Sequence, residues 1–408
     1  MYESVKELIK AHEGIKKEVY LDQENSSPTP TEIIEAMIPY FCKKAYGNPT
    51  VTHKPGWMAY ETIQKASEQV ANYIGATSTE EINFTPGETE SNNLALIGTA
   101  LANKKKGNKI VISQIEPLSI DFSSKILEKY GFKVDKVPVD ENGFVNLEKL
   151  SDIVNNETIL VSIMSVNHEI GTIEPIKEAV ETVKEKNPET LFHTDASDAY
   201  TKIPINVKKL GVDLMTLSSY KILGPRGIGA LYTKEGVKIE RLLEGQIGTQ
   251  KLWPGVENTP LIIGFLKASE LAFKNFNKNI SQMKRLRDKL INGIPEEISE
   301  TLLNGPKRNK RAPDNVNISF LHCEGESLTI ELSLKGVYVS SGSACTRRIL
   351  QPSHVLTAIG KKFEEAHGSI LMKVTRYHTK KDIEYVLKVF PEAVNRLRAI
   401  SPTKEDAR

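Results

Sequence analysis

Leu214-Met215-Thr216-Leu217-Ser218-Ser219-Tyr220-Lys221 runs on, after Ile222 and Leu223, into Gly224-Pro225-Arg226-Gly227-Ile228-Gly229, and this stretch decides the fold. An apolar run stops at a lysine, a glycine-rich turn follows, and a second apolar run begins at Ile228. Such a lysine, set between apolar walls, loses solvation as an ammonium and becomes able to form a Schiff base with a carbonyl.

Outward from that stretch, β-rich runs at 82–84, 110–113, 134–139, 159–164, 191–194, 214–218 and 228–232 alternate with periodic helical segments at 90–103, 118–130 and 173–186. The rhythm predicts an α/β architecture, a mostly parallel sheet covered by helices, with ligands gathered at the carboxyl ends of the strands. Beyond residue 264 the pattern changes to a long charged helix over 265–293, strands near 316–321 and a closing helix over 381–397, which reads as a smaller α+β domain. With 408 residues the chain exceeds what one core serves, and the expected division is 16–264 for the large domain and 1–15 plus 265–408 for the small one. Residues 304–315, rich in Asn and Pro, read as a loop.

Composition narrows the function classes. Hydrophobic residues make up 39% and charged residues 26%, ordinary for a soluble globular chain. A net charge of +2 with no long basic block argues against nucleic acid as a partner. Cys42, Cys323 and Cys345 lie far apart and odd in number, fitting neither a disulfide framework nor a paired-cysteine metal site, so a reducing, cytoplasmic setting and no metal are expected. Neither a signal peptide nor a membrane span is expected.

Four segments carry chemistry. Thr85-Pro86-Gly87-Glu88-Thr89-Glu90 follows a strand and opens a helix, whose free N–H groups suit an anion, with Gly87 allowing close approach and the Thr89 hydroxyl able to donate to a phosphate. Asp195 ends the strand Leu191-Phe192-His193-Thr194, where a carboxylate can keep a pyridine nitrogen protonated. Lys221 is the carbonyl-reactive amine. Cys345 sits in Ser340-Ser341-Gly342-Ser343-Ala344-Cys345-Thr346-Arg347-Arg348, among small residues and beside two cations that favour its thiolate. Each has a plainer reading alone: a helix cap, a capping aspartate, a solvated lysine, an inert thiol.

Together and in order, these segments resemble the cysteine desulfurases of iron–sulfur cluster assembly, members of the class V aminotransferase group with the fold type I architecture of pyridoxal-phosphate enzymes. The resemblance extends through Tyr20-Leu21-Asp22, Tyr46-Gly47-Asn48-Pro49, Ser165-Val166-Asn167-His168-Glu169, Gly255-Val256-Glu257-Asn258 and Asn315-Val316-Asn317-Ile318-Ser319-Phe320. It implies pyridoxal 5'-phosphate held by Lys221, with Asp195 at the pyridinium, Gly87, Glu88, Thr89, Ser218 and Tyr220 around the phosphate, and Asn167 and Asp198 beside the ring. It further implies Asn167 and Arg376 as substrate contacts, L-cysteine as substrate, Cys345 as persulfide carrier on a long loop that delivers sulfur to an iron–sulfur scaffold or other acceptor, and a homodimer.

Departures from the family pattern cluster near the same site. Leu371 stands where an arginine grips the substrate carboxylate, Pro117 where a histidine stacks on the ring, Asp198 where a glutamine faces its phenolic oxygen, Tyr220 for a histidine, Val256 for a threonine and Trp57 for an arginine. They define two competing expectations: a lyase or aminotransferase acting on another substrate, or a degenerate, non-catalytic desulfurase that binds a scaffold.

Overall fold

A computed structural model describes residues 2–342 and 352–400 of the chain. Its strands are Val19–Tyr20 (β1), Ile82–Thr85 (β2), Lys109–Ser113 (β3), Lys133–Val137 (β4), Thr158–Ser162 (β5), Leu191–Asp195 (β6), Leu214–Ser218 (β7), Gly229–Thr233 (β8), Thr301–Leu303 (β9), Asn315–Phe320 (β10), Val337–Tyr338 (β11), Ser340–Ser341 (β12) and Ser369–Lys373 (β13). Seven of them form the large sheet in the order β2-β8-β7-β6-β5-β3-β4. Its central strands are parallel, and β8 alone runs against its neighbours β7 and β2. Both faces of β5 and β7 are buried, which is why they read as continuous apolar runs rather than as alternation. The fold class expected from the sequence is the one observed.

Helices cover this sheet, among them Glu88–Asn93, continued through a π-helical turn at Leu94–Gly98, and Leu118–Lys129 and Ile176–Lys186. A second, antiparallel sheet in the order β12-β13-β10-β9 has its own apolar core with the helices Phe276–Glu297 and Lys380–Ile400. The expected single helix over 265–293 is two: Thr259–Phe273, which packs Phe265 and Ala268 into the core of the large sheet, and Phe276–Glu297, which packs Met283 and Leu286 into the other. A charged, periodic sequence shows where helix is stable but does not mark a break, here at Lys274 and Asn275, that lets two helices serve two cores.

Two details of the chain path shape the site. The parallel pairing of β1 with β11 lays Val19 and Leu21 on the smaller core, and the N–H of Lys373 donates to the Leu21 carbonyl at 2.8 Å, so the turn that follows, with Glu24, is held over β13. Ser218 pairs with Gly229 and Gly229 with Thr85 across three adjacent strands, bringing the 87–89 turn beside the end of β7. Gly229 is required there, because a Cβ would lie 2.9 Å from the Gly87 carbonyl carbon and 2.8 Å from the Leu217 oxygen. No helix among the described residues is long and apolar enough to cross a membrane.

Candidate active site

Parallel β6 and β7 end side by side, so Asp195, the turn carrying Asp198, Ser218 and Lys221 emerge along one edge of the sheet. This is the carboxyl edge at which α/β sheets bind ligands. Lys221 lies in a tight turn, Tyr220–Ile222, closed by Leu223 in the left-handed region (φ 71°). A left-handed leucine is strained, and such strain persists where surrounding structure holds it.

One half of the site is open. The Oδ2 of Asp195 accepts from Asn92 Nδ2 at 2.7 Å and its Oδ1 from the Ser197 N–H at 2.8 Å. Burial, against these hydrogen bonds, raises the Asp195 pKa, so a positive partner is what would stabilise its charge. Ser218 is fully buried, yet its Oγ has no hydrogen-bond partner, and Glu88 Oε2 is likewise buried and unpartnered. Burial and the neighbouring Asp195 carboxylate push the Glu88 carboxyl up to about 8, leaving it a neutral donor at pH 7. Gly87 caps the helix that begins at Glu88 without a side-chain cap, which leaves N–H groups of the first turn without partners in the helix, and Thr89 is exposed. Burial raises the Tyr220 phenol too, keeping its hydroxyl a donor.

The other half is closed on itself. Lys221 Nζ donates to the Glu24 carboxylate and to Asp198 Oδ2 at 3.0 Å, and Lys373 Nζ donates to the same two carboxylates. Lys202 joins them, donating to Asp198 Oδ1 at 3.2 Å and pairing with Asp314 at 2.7 Å. Burial alone would lower the Lys221 ammonium, but Asp198 and Glu24 outweigh it and hold the group well above the usual lysine range. Desolvation was expected from sequence to free this amine; in the structure two carboxylates reverse that effect. Burial would raise Asp198, and Lys221, Lys373 and Lys202 together draw it well below the usual carboxylate range. The acid that departs from the family pattern therefore arrives with its own cations.

Other expected residues divide. Asn167 is fully buried, its Oδ1 accepting from the N–H groups of Glu169 and Ile170 and its Nδ2 donating to the Ile115 carbonyl and Met164 sulfur. Its amide is engaged in holding this loop, a different task from the ligand contact expected of it. Arg376 donates to the Ile222 carbonyl at 3.3 Å and lines a cavity of about 30 Å³ with Gln23, Lys202, Lys221 and Asp314. Cys345, with Arg347 and Arg348, lies outside the described residues.

Sequence reasoning missed Glu24, Lys202 and Asn92 as members of the site. The first sits two positions past the recognised Tyr20-Leu21-Asp22, the second four residues after Asp198, and the third two positions past the quoted Thr85–Glu90 segment, so proximity to motifs was the signal available. A further cavity is lined by Glu24, Leu118, His168, Glu169, Ser340 to Gly342, His354 and Leu371, and so runs from the lysine cluster to the segment that leads into the Cys345 loop.

The aminotransferase class-V family model matches residues 19–386. The chain is 44% identical over 393 residues to cysteine desulfurase IscS of Clostridium botulinum, covering 96% of this chain and 98% of that one. It is 45% identical over 392 residues to cysteine desulfurase IscS of Dictyoglomus turgidum, with the same coverage. A solved NifS-like protein superposes with a TM-score of 0.87 at 34% identity, covering 93% of this chain and all of that one. Similarity of this depth along nearly the whole length means that the protein belongs to the class-V aminotransferase family, within its cysteine desulfurases.

Proposed function

We propose that this chain is a pyridoxal-phosphate-dependent cysteine desulfurase that converts L-cysteine to L-alanine and holds the removed sulfur as a persulfide on Cys345, for transfer to an iron–sulfur scaffold or another acceptor protein. The observation that carries the reading is Lys221, buried at the carboxyl edge of the sheet beside Asp195 and an unsatisfied Ser218 hydroxyl.

The residues present suit the cofactor. A buried hydroxyl without a partner costs stability unless a ligand satisfies it, and Ser218 with the first-turn N–H groups after Gly87 forms a donor set for a phosphate. Neutral Glu88 adds a donor where a charged carboxylate would repel. Asp195, destabilised as an anion by burial, gains from a protonated pyridine nitrogen. When bound, pyridoxal phosphate supplies an electron sink for negative charge at the substrate α-carbon.

Around that chemistry the chain's residues have distinct tasks. Lys221, once it has given up its covalent place, carries the proton removed from the α-carbon and returns it to the product. Asp198, whose charge is balanced by Lys202 and Lys373, orients the Lys221 amine. The Cys345 thiolate attacks the substrate sulfur; the carbon–sulfur bond breaks, its electron pair stays with the carbon fragment that becomes alanine, and the sulfur stays on Cys345.

Residues 16–264 are read as the cofactor-carrying unit and 1–15 with 265–408 as the unit that carries the Cys345 loop, a division supported by two separate apolar cores. The expected boundaries are crossed by Val19 and Leu21 on the smaller core and by Phe265 on the larger. A cytoplasmic homodimer is inferred, supported by large apolar side chains left exposed between residues 34 and 60: Ile38, Phe41, Trp57 and Tyr60.

The test is direct. Purified protein should absorb in the visible range, and borohydride should fix the cofactor to Lys221 in a peptide map. Incubation with L-cysteine should add the mass of one sulfur atom to the Cys345 peptide and release alanine; bound cofactor without sulfur on Cys345 would reject the desulfurase.

A further inference from the structure

L-Cysteine brings a carboxylate into a buried site, where an unpaired anion is expensive, so a cation must receive it. At the cavity that Glu24 shares with Ser340 to Gly342, Leu371 offers only hydrocarbon. Among the described residues, three buried or half-buried cations other than Lys221 lie nearby. Lys202 is held by Asp314 and Asp198, and Arg376, whose Nε and Nη2 are buried without hydrogen-bond partners, lines a different cavity that neither Glu24 nor Leu371 enters. Lys373 remains.

Lys373 stands two residues after Leu371 on β13, so both side chains leave the same face of the strand. Its Nζ donates to Glu24, a carboxylate that Lys221 Nζ also donates to and that lines the Leu371 cavity. A carboxylate thus sits between the amine that the substrate's amine must replace and a second, buried ammonium. An α-amino acid needs that arrangement, since its amine and carboxylate hang from one carbon. Glu24 is also the least enclosed member of the cluster, its side chain 12% exposed against 2% for Lys221, 3% for Lys373 and 5% for Asp198. It is the carboxylate able to swing into the cavity and give up its place.

We propose that Lys373 binds the carboxylate of the amino-acid substrate in the position that Glu24 occupies between Lys373 and Lys221. Glu24 is then an internal stand-in, which keeps the two ammonium groups paired until substrate arrives and lowers the apparent affinity for it. The inference rests on the desulfurase reading and adds the residue that selects an amino acid over a simple amine.

The test titrates the visible spectrum of the holoenzyme with L-alanine, the product amino acid, and with ethylamine, which lacks the carboxylate. Wild type should prefer alanine, and Lys373→Met should lower the alanine-to-ethylamine affinity ratio about 30-fold, in the range seen when one member of a buried charge pair is removed. The KM for L-cysteine should rise with it, more than kcat falls, and Lys373→Arg should retain most of the preference. Glu24→Gln, a near-isosteric change that leaves Lys373 in place, should tighten alanine several-fold and not ethylamine. An unchanged alanine-to-ethylamine ratio in Lys373→Met, or equal changes for both ligands in Glu24→Gln, would overturn the anchor and leave the desulfurase standing. A wild-type protein that forms no persulfide from cysteine would remove the reading and the anchor together.

Discussion

The two halves of the active site satisfy their polar groups in opposite ways. Beside Asp195, the Ser218 hydroxyl and Glu88 carboxyl are buried without partners, as in a site built around something else. Beside Lys221, four charged groups saturate one another through Glu24, Asp198 and Lys373. The open half depends on a ligand for its stability, whereas the closed half is stable alone and must be opened to work. The residues that follow the family pattern, Asp195 and Ser218, are in the open half, and two of the departures, Asp198 and Leu371, are in or beside the closed one.

Removal of the shared lysine breaks both halves at once. Lys221→Ala should abolish alanine formation, a loss of at least about 1000-fold, and the visible band with it, because the amine is both covalent anchor and proton carrier. Next in size, Asp198→Asn strips the buried lysines of their common carboxylate. It should destabilise the cofactor-free protein by roughly 3 kcal/mol in urea unfolding, as expected when a buried ion pair loses one partner.

On the open side the expected signature is pH dependence. Glu88, raised by burial to about 8, binds its proton more tightly in the folded chain than unfolded, so stability falls as pH rises from the usual carboxylate range through 8. Glu88 should therefore contribute a gain of roughly 2 kcal/mol to the cofactor-free protein on going from pH 8.5 to 5.5, a value discounted for partial exposure of the residue, and Glu88→Gln should remove that share of the profile while the buried Glu116 and Glu169, also raised to about 8, keep theirs. Asp198 acts in the opposite sense: its lowered pKa gives stability that is present at neutral pH and lost only as pH falls through that low value. The smallest effect is expected from Ser218→Ala. Loss of an unpartnered hydroxyl should leave cofactor-free stability within about 1 kcal/mol of wild type and weaken cofactor retention about 10-fold, read by equilibrium dialysis. A large stability loss in Ser218→Ala with none in Asp198→Asn would invert the contrast between the halves.

Much of this was legible in the sequence because strands leave periodic traces. The runs ending at Asp195 and Ser218 appear at nearly the observed positions, and two such parallel strands must deliver their last residues to one edge. Side-chain charge state was not legible. Lys221 between apolar runs predicts a depressed ammonium, and the opposite holds because Asp198 and Glu24, the second 197 residues away in the chain, bond to it. Arg311 makes the same point: within a stretch read simply as a loop, it is fully buried and donates to the Pro306 carbonyl at 2.6 Å and to Asn315 at 2.7 Å.

The sequence by itself determined the α/β class, the lysine at the end of a strand, the turn at 85–88 that opens a helix and the membership in a family of cysteine desulfurases, since each rests on local pattern or on motif order. Only the tertiary structure decided that Glu24, Asp198 and Lys373 meet at Lys221. That meeting depends on β1 crossing to the smaller core and on β13 passing the edge of the larger sheet. Electrostatic energies scale with distance in space and with burial, and neither quantity is written in the spacing of residues along the chain.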